Sequence, residues 1–458
     1  MSFPEFVYAN RQETILRQDP KAKAKELNHV LLGTYLEVLD SKGSYYQVAT
    51  RRAGPGGWVA KADTTESTPL KVFFVDVGQG DGTLIETPQG IVIIDGGMGA
   101  HFHAFLRHRY WPLIENGEII EVKAMVISHP DGDHYKGLQR ILEDEDFRVD
   151  AIYHNGLMRY PKSTEDSRRR MIEKGHVVEA DVDGDTAYFV VDHFDGLAEA
   201  FARKAEMPSW FKQFWTAAKE SADAGRLNSV QRLVAGDSIA GFTTTSGGKA
   251  KLVVLAPAPH QIDDADAFLA FDDPKKRADG DEPDYPDYGY SHSHTRNGHS
   301  IVVRLEFGDH KLLLGGDLNI PAERHLIEHY GTQNPFRVDV AKCCHHGSAD
   351  FSPEFLKRVS PHATTISSGD NKSFDHPTAD SVGAIARHSR GDLPLVFSTE
   401  LARAYSISSA GHVNDIHYGL VNLRSNGTLL TMAQMKEQHS GTDIWDSYNL
   451  PWAGKFWF

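Results

Sequence analysis

The chain has 458 residues, of which 24% are charged and 40% hydrophobic, and these shares are typical of a folded globular protein. They exclude a disordered or collagen-like chain. No stretch of 18 apolar residues occurs, and the N-terminus lacks the basic-then-apolar order of a secretory signal, so we expect a cytoplasmic protein without a membrane partner. The net charge of -15 disfavours broad charge-driven binding to nucleic acid. The two cysteines, Cys343 and Cys344, are adjacent and cannot form a disulfide framework.

The first 66 residues carry short β-type runs broken by glycine-rich turns, which predicts a small all-β barrel domain. A polar linker is expected over residues 64–69. The stretch GTYLEVLDSKGSYYQVATRRAGPGGWVAKAD resembles a bacterial SH3-like domain, and this resemblance implies a protein or peptide partner. The alternative is a β-subdomain without a ligand, in which Trp58 fills the core.

The remaining residues, 70–458, alternate between strand and helix patterns and predict an α/β layered domain. The regular pattern stops between about residues 155 and 250, where we predict a helical insertion with helices at 165–174 and 197–223. A second α/β half then follows. Its expected strands and helices lie at 251–256, 301–307, 311–314, 322–330, 338–344, 353–359, 363–367 and 378–388.

A cluster of histidine and aspartate side chains directly follows the predicted buried strand 124–128. The segment is His129-Pro-Asp131-Gly-Asp133-His134, and a helix pattern begins after it. Alternate residues of an extended segment share one direction, so this spacing can supply ligands to two metal ions. Histidine nitrogen and carboxylate oxygen are ligands of Zn, Mn or Fe. The alternative is a charged turn that caps the helix with Asp133 at the N-cap.

Six ordered motifs resemble the metallo-β-lactamase fold, most of all the ComEC-type competence hydrolase domain. They are VDVGQGD, IDGGMG, ISHPDGDHYKGL, NGHSIVVRLEFGDHKLLLGGDL, KCCHHGS and DHP. The resemblance implies a four-layer αβ/βα sandwich with a dinuclear metal site at the strand ends where the two halves meet. It also implies the metal ligands, which are His129, Asp131, Asp133, His134, the bridging Asp317, His345 or His346, and His376. A separate mid-chain histidine ligand has no clear match, and His154 and His193 are its candidates.

Two adjacent histidines, His345 and His346, point in opposite directions if their segment is extended. One of them can then bind metal while the other donates a proton or contacts phosphate, or the second can be purely structural. With Asp133 they are the predicted catalytic residues. The predicted substrate-binding residues are Lys342, Ser348 and Asn297, although a solvated lysine is the more frequent arrangement.

The remaining candidates have ordinary structural explanations. We expect His292, His294 and His299 on an exposed loop and both cysteines in the core. The basic clusters Arg168–Arg170 and Lys275–Arg277 are expected on solvated faces.

The carboxylates of Asp131, Asp133 and Asp317 do not neutralise two divalent ions, so the loaded site attracts an anion. We therefore predict a hydrolase with two divalent ions, Zn or Mn, that cleaves phosphodiesters of nucleic acid or nucleotides with a metal-bridging hydroxide. Alternatives are the hydrolysis of carboxylic esters, thioesters or lactams, and of a small phosphodiester such as a nucleotide messenger or a phosphocholine ester.

Overall fold

A computed structural model describes residues 3–51, 53–160, 175–182, 185–272, 291–369, 375–391, 394–399, 405–407, 413–416 and 420–451. The predicted helix 165–174 and both basic clusters, Arg168–Arg170 and Lys275–Arg277, lie outside these residues.

The N-terminal region is all-β, as predicted. Its strands are β1 (Phe6–Ala9), β2 (Glu13–Arg17), β3 (Glu26–Leu31), β4 (Tyr35–Lys42), β5 (Tyr45–Thr50), β6 (Gly57–Ala60) and β7 (Thr64–Thr65). They form one sheet in the order β3-β2-β6-β5-β4-β1-β7, so the start of the predicted linker belongs to the sheet. Val59 fills the core of this sheet, whereas the neighbouring Trp58 is half-buried, because successive side chains of a strand face opposite sides. The expectation of a core Trp58 is therefore wrong.

The larger part of the chain is mixed α/β. Its helices are α1 (His101–Ile114), α2 (Gly132–Glu143), α3 (Leu197–Ala202), α4 (Ser209–Asp223), α5 (His292–Gly298), α6 (Ile320–Tyr330), α7 (Pro353–Val359) and α8 (Ala379–His388). Its strands are β8 (Leu70–Val75), β9 (Gly82–Thr87), β10 (Gly90–Gly96), β11 (Ile120–Val126), β12 (Phe147–His154), β13 (Val177–Val182), β14 (Asp185–Val190), β15 (Leu227–Arg232), β16 (Ala250–Ala256), β17 (His260–Ile262), β18 (Ala265–Leu269), β19 (Val302–Phe307), β20 (His310–Leu314), β21 (Val340–Lys342), β22 (Ala363–Ile366), β23 (Leu395–Ser398), β24 (Tyr405–Ile407), β25 (Val413–Ile416), β26 (Leu420–Ser425), β27 (Leu430–Ser440) and β28 (Asp443–Leu450).

Two large sheets pack face to face. The first has the order β15-β12-β11-β10-β9-β8-β26-β27-β28 and the second the order β16-β19-β20-β21-β22-β23. One apolar cluster joins them, with Phe74 and Val92 from the first sheet and Leu252 and Leu312 from the second. Two further clusters bury α1, α2 and α4 on the outer face of the first sheet, and α6 and α7 on the outer face of the second. The layers are therefore helix, sheet, sheet and helix.

The region from about 155 to 250 differs from the predicted helical insertion. It contains α3 and α4, but also the hairpin of β13 and β14 and the strand β15. The predicted helix 197–223 is interrupted before Ser209, because Pro208 disfavours helical backbone in the residue that precedes it. Strand β15 runs parallel to β12, so this region contributes to the main sheet.

The carboxyl ends of several parallel strands meet at one edge of the two sheets. On the first sheet, β10 ends at Gly96 and β11 is followed by His129; on the second, β20 is followed by Asp317 and β21 by His345. This arrangement brings four of the predicted motifs to one place. Among the described residues, no helix is both long enough and apolar enough to cross a membrane.

Helix α2 approaches β10 closely through Gly137, whose nitrogen donates a hydrogen bond of 2.8 Å to the Gly97 oxygen. A Cβ atom at Gly137 would lie 1.9 Å from the Gly96 oxygen. Because backbone fills this space, a side chain there would push α2 away from the sheet.

Gly137→Ala is predicted to destabilise the protein by about 1–3 kcal/mol, as overpacking typically does. Gly383 in α8 is the matched control, since it is also helical and a Cβ atom there meets no other atom within 4 Å. Gly383→Ala should stabilise the protein by about 0.5–1 kcal/mol. Urea unfolding of both variants measures the two changes in the free energy of unfolding, which should have opposite signs. Changes in the same direction would contradict the packing argument.

Candidate metal centre

Histidine and aspartate side chains converge at the shared edge of the two sheets. Among the described residues there are four overlapping groups, and within each group the ligand atoms lie within 4.8 Å of one another. Each group contains at least one residue of another, so they form one continuous centre. The groups are His129, His134 and Asp317; Asp133, His134 and His346; Asp81, Asp317 and His346; and Asp81, Asp95 and His134.

The segment that carries His129 and His134 is held in place by Asp95 at the end of β10. The Ser128 backbone nitrogen donates to one Asp95 oxygen at 2.8 Å, and the Ser128 hydroxyl donates to the other at 2.7 Å. Helix α2 begins directly after Asp131, which occupies the N-cap position without a side-chain capping hydrogen bond. The alternative in which Asp133 caps this helix is therefore wrong. Asp133 lies instead in the first turn, where its carboxylate faces His346.

In His134 and His346, a hydrogen bond made by ring nitrogen Nδ1 orients the ring so that Nε2 faces the centre. His134 Nδ1 donates to Asp95 at 2.9 Å, and His346 Nδ1 donates to the Ser367 oxygen at 3.0 Å. The Nε2 atoms of both rings lie 3.3 Å from the same oxygen of Asp317. Partners on the outer nitrogen fix the tautomer and orientation of a metal-ligating histidine, and this arrangement has that form.

The segment that carries His345 and His346 is a tight turn rather than an extended strand. Both residues have positive φ, 49° and 53°. The His345 nitrogen donates to the Gly316 oxygen at 3.1 Å, and this bond holds the turn against the end of β20. The expectation of an extended pair is wrong, although the two rings still diverge, with centroids 6.3 Å apart.

The turn gives the two histidines different surroundings. His346 is buried inside the centre, whereas 23% of the His345 side chain is exposed and its Nε2 lies 4.0 Å from Asp317. The same nitrogen lies 3.5 Å from Asn297 Nδ2. His376 lies beyond His345, with ring centroids 5.9 Å apart, and it is in none of the four groups.

The remaining predicted residues lie around this centre. The Asp131 carboxylate forms ion pairs with Arg159 and with Arg296, the latter at 3.1 Å, and Asp131 is outside the four groups. Its role as a ligand therefore stays a prediction. The ammonium group of Lys342 is buried against Asp81, so the expectation of a solvated lysine is wrong. Ser348 is buried, and its hydroxyl accepts a hydrogen bond from the Asp350 nitrogen at 3.2 Å.

Sequence reasoning did not assign Asp81 and Asp95 as members of the centre. Both lie inside motifs that resemble the family, so the signal was present. Gly80 has a φ of 110°, and a Cβ atom there would lie 1.8 Å from the Asp133 oxygen. A glycine is therefore required to bring Asp81 next to the first turn of α2.

The centre fits divalent metal ions. Several buried polar atoms there make no hydrogen bond within the part of the chain that the structure describes, which is costly unless another group satisfies them. They are His129 Nε2, His134 Nε2, His346 Nε2, Asp81 Oδ1 and Asp317 Oδ1. Imidazole nitrogen and carboxylate oxygen together suit Zn or Mn.

The charges of the centre point to the same conclusion. Burial would lower the pKa of His346, but Asp317 and Asp81 raise it to about 10. Burial would likewise raise the pKa of Asp81, but Lys342 and His346 lower it to about 2. Burial lowers the pKa of His129 to about 4, so this ring is neutral at neutral pH and offers a lone pair. Protonated histidine therefore balances the carboxylates where a metal ion would do so.

The other histidine candidates belong to none of the four groups. His154 is buried, and its Nδ1 accepts from the Gly156 nitrogen at 3.0 Å, while His193 contacts the Asp266 oxygen. Neither belongs to the four groups. The exposed loop expected for His292, His294 and His299 is wrong, because 292–298 form α5 and His299 is 1% exposed.

Part of the chain is similar in sequence to known proteins. Residues 75–210 match the sequence model of the Metallo-beta-lactamase superfamily. The competence protein ComA of Neisseria gonorrhoeae is 40% identical over 83 residues, which are 18% of this chain and only 12% of that relative.

Two solved structures are similar at low sequence identity. A metal-dependent hydrolase of Parabacteroides distasonis is 12% identical with a TM-score of 0.32, over 72% of this chain and 92% of that one. A motif mutant of a metallo-β-lactamase from Cronobacter sakazakii is 14% identical with a TM-score of 0.26, over 69% and 90%.

Residues 75–210 are thus similar to the Metallo-beta-lactamase superfamily, and the histidine and aspartate groups form a candidate metal centre within mixed α/β layers. The ComEC-type branch and the SH3-like character of the N-terminal sheet stay predictions.

Asp317→Asn is predicted to remove most of the bound metal, because Asp317 belongs to two of the groups and loses its charge without a change in size. Elemental analysis of the gently purified protein should approach two divalent ions per chain before the change. Asp223→Asn is the matched control, since Asp223 forms an exposed ion pair with Lys219 in α4. Full metal content in Asp317→Asn would exclude a shared ligand.

Proposed function

We propose that this chain is a dinuclear metal-dependent phosphodiesterase that acts on nucleic acid or nucleotides. The observation that carries the proposal is the position of Asp317 between two sets of donors. One set contains His129 and His134, and the other contains Asp81 and His346. A carboxylate in this position suits a bridge between two ions, and nitrogen and oxygen donors favour Zn or Mn.

Two bound divalent ions supply Lewis acidity, lower the pKa of a water molecule and neutralise charge on attacking and leaving oxygens. Phosphodiester hydrolysis requires all three. The residues of this chain supply the geometry, because the outer hydrogen bonds of His134 and His346 hold both rings rigidly.

Cationic and aromatic side chains next to the centre support an anionic substrate. Arg159 and Arg296 both contact Asp131, so two guanidinium groups share one carboxylate. Arg159 also lies 4.3 Å from the ring centroid of Trp210, and Lys136 lies 4.9 Å from the same centroid. Guanidinium groups suit phosphate oxygens.

His345 is suited to proton donation to the leaving group. It is the partly exposed member of the histidine pair, and Asn297 Nδ2 can only donate to its Nε2, which places the proton of the neutral ring on Nδ1. His346, which is buried among carboxylates, is suited to metal binding instead. This division assigns different chemical roles to two adjacent residues of the same type.

A hydrolysis panel tests the proposed function. Manganese- and zinc-loaded protein should cleave bis(nitrophenyl) phosphate and at least one of single-stranded DNA, RNA or a cyclic dinucleotide, and Asp317→Asn should not. Nitrophenyl acetate, a thioester and a β-lactam report the alternative carbonyl chemistry. Rapid cleavage of these carbonyl substrates with no cleavage of any phosphodiester would overturn the proposal.

The two histidines should respond differently to substitution. His345→Ala is predicted to keep its metal and to lose about 10² to 10⁴ in rate, the range typical of general acid catalysis. The loss should shrink for a nitrophenolate leaving group, which needs no proton. His346→Ala should lose metal and activity together, and elemental analysis with rate measurements on both substrate types checks the difference. Equal metal loss in both variants would show that His345 is a ligand.

A further inference from the structure

A cavity lies away from the metal centre, between the N-terminal sheet and the first large sheet. Its volume is about 740 Å³. The N-terminal sheet contributes Tyr8 and Tyr35 to its wall, and the other side is formed by the start of β8, the end of β9, α1, β26 and β28. A cavity of this size can hold a small organic molecule.

The charges that line this cavity are unbalanced. Among the described lining residues, four are lysine or arginine and one is acidic, although the whole chain has a net charge of -15. An excess of positive charge in a partly closed cavity attracts anions. The charged lining residues are Arg51, Lys71, Arg109, Arg424 and Glu86.

The single carboxylate is already fully used. Glu86 accepts hydrogen bonds from Arg109 at 2.7 Å, from Lys71 at 3.1 Å and from the Tyr110 hydroxyl at 2.8 Å. Two cations therefore share one negative charge, and no capacity is left for Arg424.

Arg424 is a buried guanidinium whose partners are all neutral. Its two terminal nitrogens donate to the Leu32 oxygen at 3.1 Å and to Asn422 Oδ1 at 3.0 Å. Its Nε makes no hydrogen bond to any residue that the structure describes, and the residue is only 8% exposed. A buried charge without a counterion is costly. An anion bound next to Arg424 would reduce this cost.

The pKa values of the cluster reflect this penalty. Burial lowers the pKa of Arg424 to about 9, and the neighbouring Arg109 adds to the effect. Burial also lowers the pKa of Lys71 to about 8, although Glu86 opposes the shift. An anion in the cavity would favour the charged form of both groups.

We propose that this cavity binds a small molecule through its phosphate group. Arg424 and Arg51 would hold the phosphate oxygens, because guanidinium groups bind them in a planar, bidentate geometry. The aromatic wall of Tyr8, Tyr35 and Trp445 suits the remainder of such a ligand.

This cavity is separate from the metal centre to which we assign catalysis. Lys71 lies at the start of β8, whereas the metal centre lies beyond its other end. At about 3.3 Å per residue, the two places are on the order of 15 Å apart. The ligand would contact both the N-terminal sheet and the hydrolase domain, since the Leu32 oxygen already binds Arg424.

Binding of inorganic phosphate and of adenosine 5′-monophosphate to the full chain tests the proposal, measured by calorimetry at constant ionic strength against chloride. Saturable binding is expected. Arg424→Met should weaken it about tenfold to a hundredfold, because hydrogen bonds to charged groups are strong. Arg51→Met, at an exposed position, should weaken it several-fold and serves as the second variant if Arg424→Met does not fold.

Two controls separate this site from others. Arg140→Met removes an exposed arginine of α2 that does not line the cavity and should leave binding unchanged. Asp317→Asn disrupts the metal centre and any anion binding there, so the saturable binding that remains in this variant is expected at the cavity. Absence of saturable binding in Asp317→Asn, or binding that both cavity variants retain, would overturn the proposal, whereas the hydrolysis panel alone decides the proposed phosphodiesterase function.

Discussion

The metal centre depends on the hydrogen bonds that the buried carboxylate of Asp95 accepts. This carboxylate joins the end of β10 to Ser128, two residues after β11, and it joins both to α2 through His134. A single residue thus sets the distance between two strands and the orientation of one histidine ring. Its own backbone has a positive φ of 57°, an uncommon conformation that aspartate tolerates better than most residues.

The centre is also a contact between the two halves of the domain. His129, His134 and Asp81 come from the first sheet, whereas Asp317, His346 and Lys342 come from the second. The ion pair of Lys342 and Asp81 crosses this boundary inside the protein. Because both groups are buried, neither could lose its partner without leaving an uncompensated charge, so the closed arrangement of the two sheets is favoured before any metal ion binds.

Much of this centre could be predicted from the sequence because its ligands cluster in short motifs. His129, Asp133 and His134 lie within six residues, and the buried strand before them fixes their place in the fold. The partners of Asp131 could not be predicted in this way. Arg296 is 165 residues away, and only the packing of α5 against the strand ends brings it close.

Contacts between residues that are distant in the sequence also explain why the positions of Asp81 and His345 were not predicted. Asp81 follows a glycine-rich turn that local patterns assign to a loop, and its proximity to Asp133 depends on a backbone approach that only Gly80 permits. The turn at His345 is set by a hydrogen bond to Gly316, on a different strand connection. Alternation of strand and helix predicted the layers well, because burial on one face imposes that pattern locally.

Strand β15 has a consequence for the solubility of the fold. It covers β12, whose backbone groups would otherwise form an open edge of the nine-stranded sheet. Its own sequence, LNSVQR, is polar along the outer boundary. Among the described strands β15 lies at the edge of this sheet, where polar side chains disfavour pairing with another chain. A shorter relative that lacked this segment would need a different cover for the same edge.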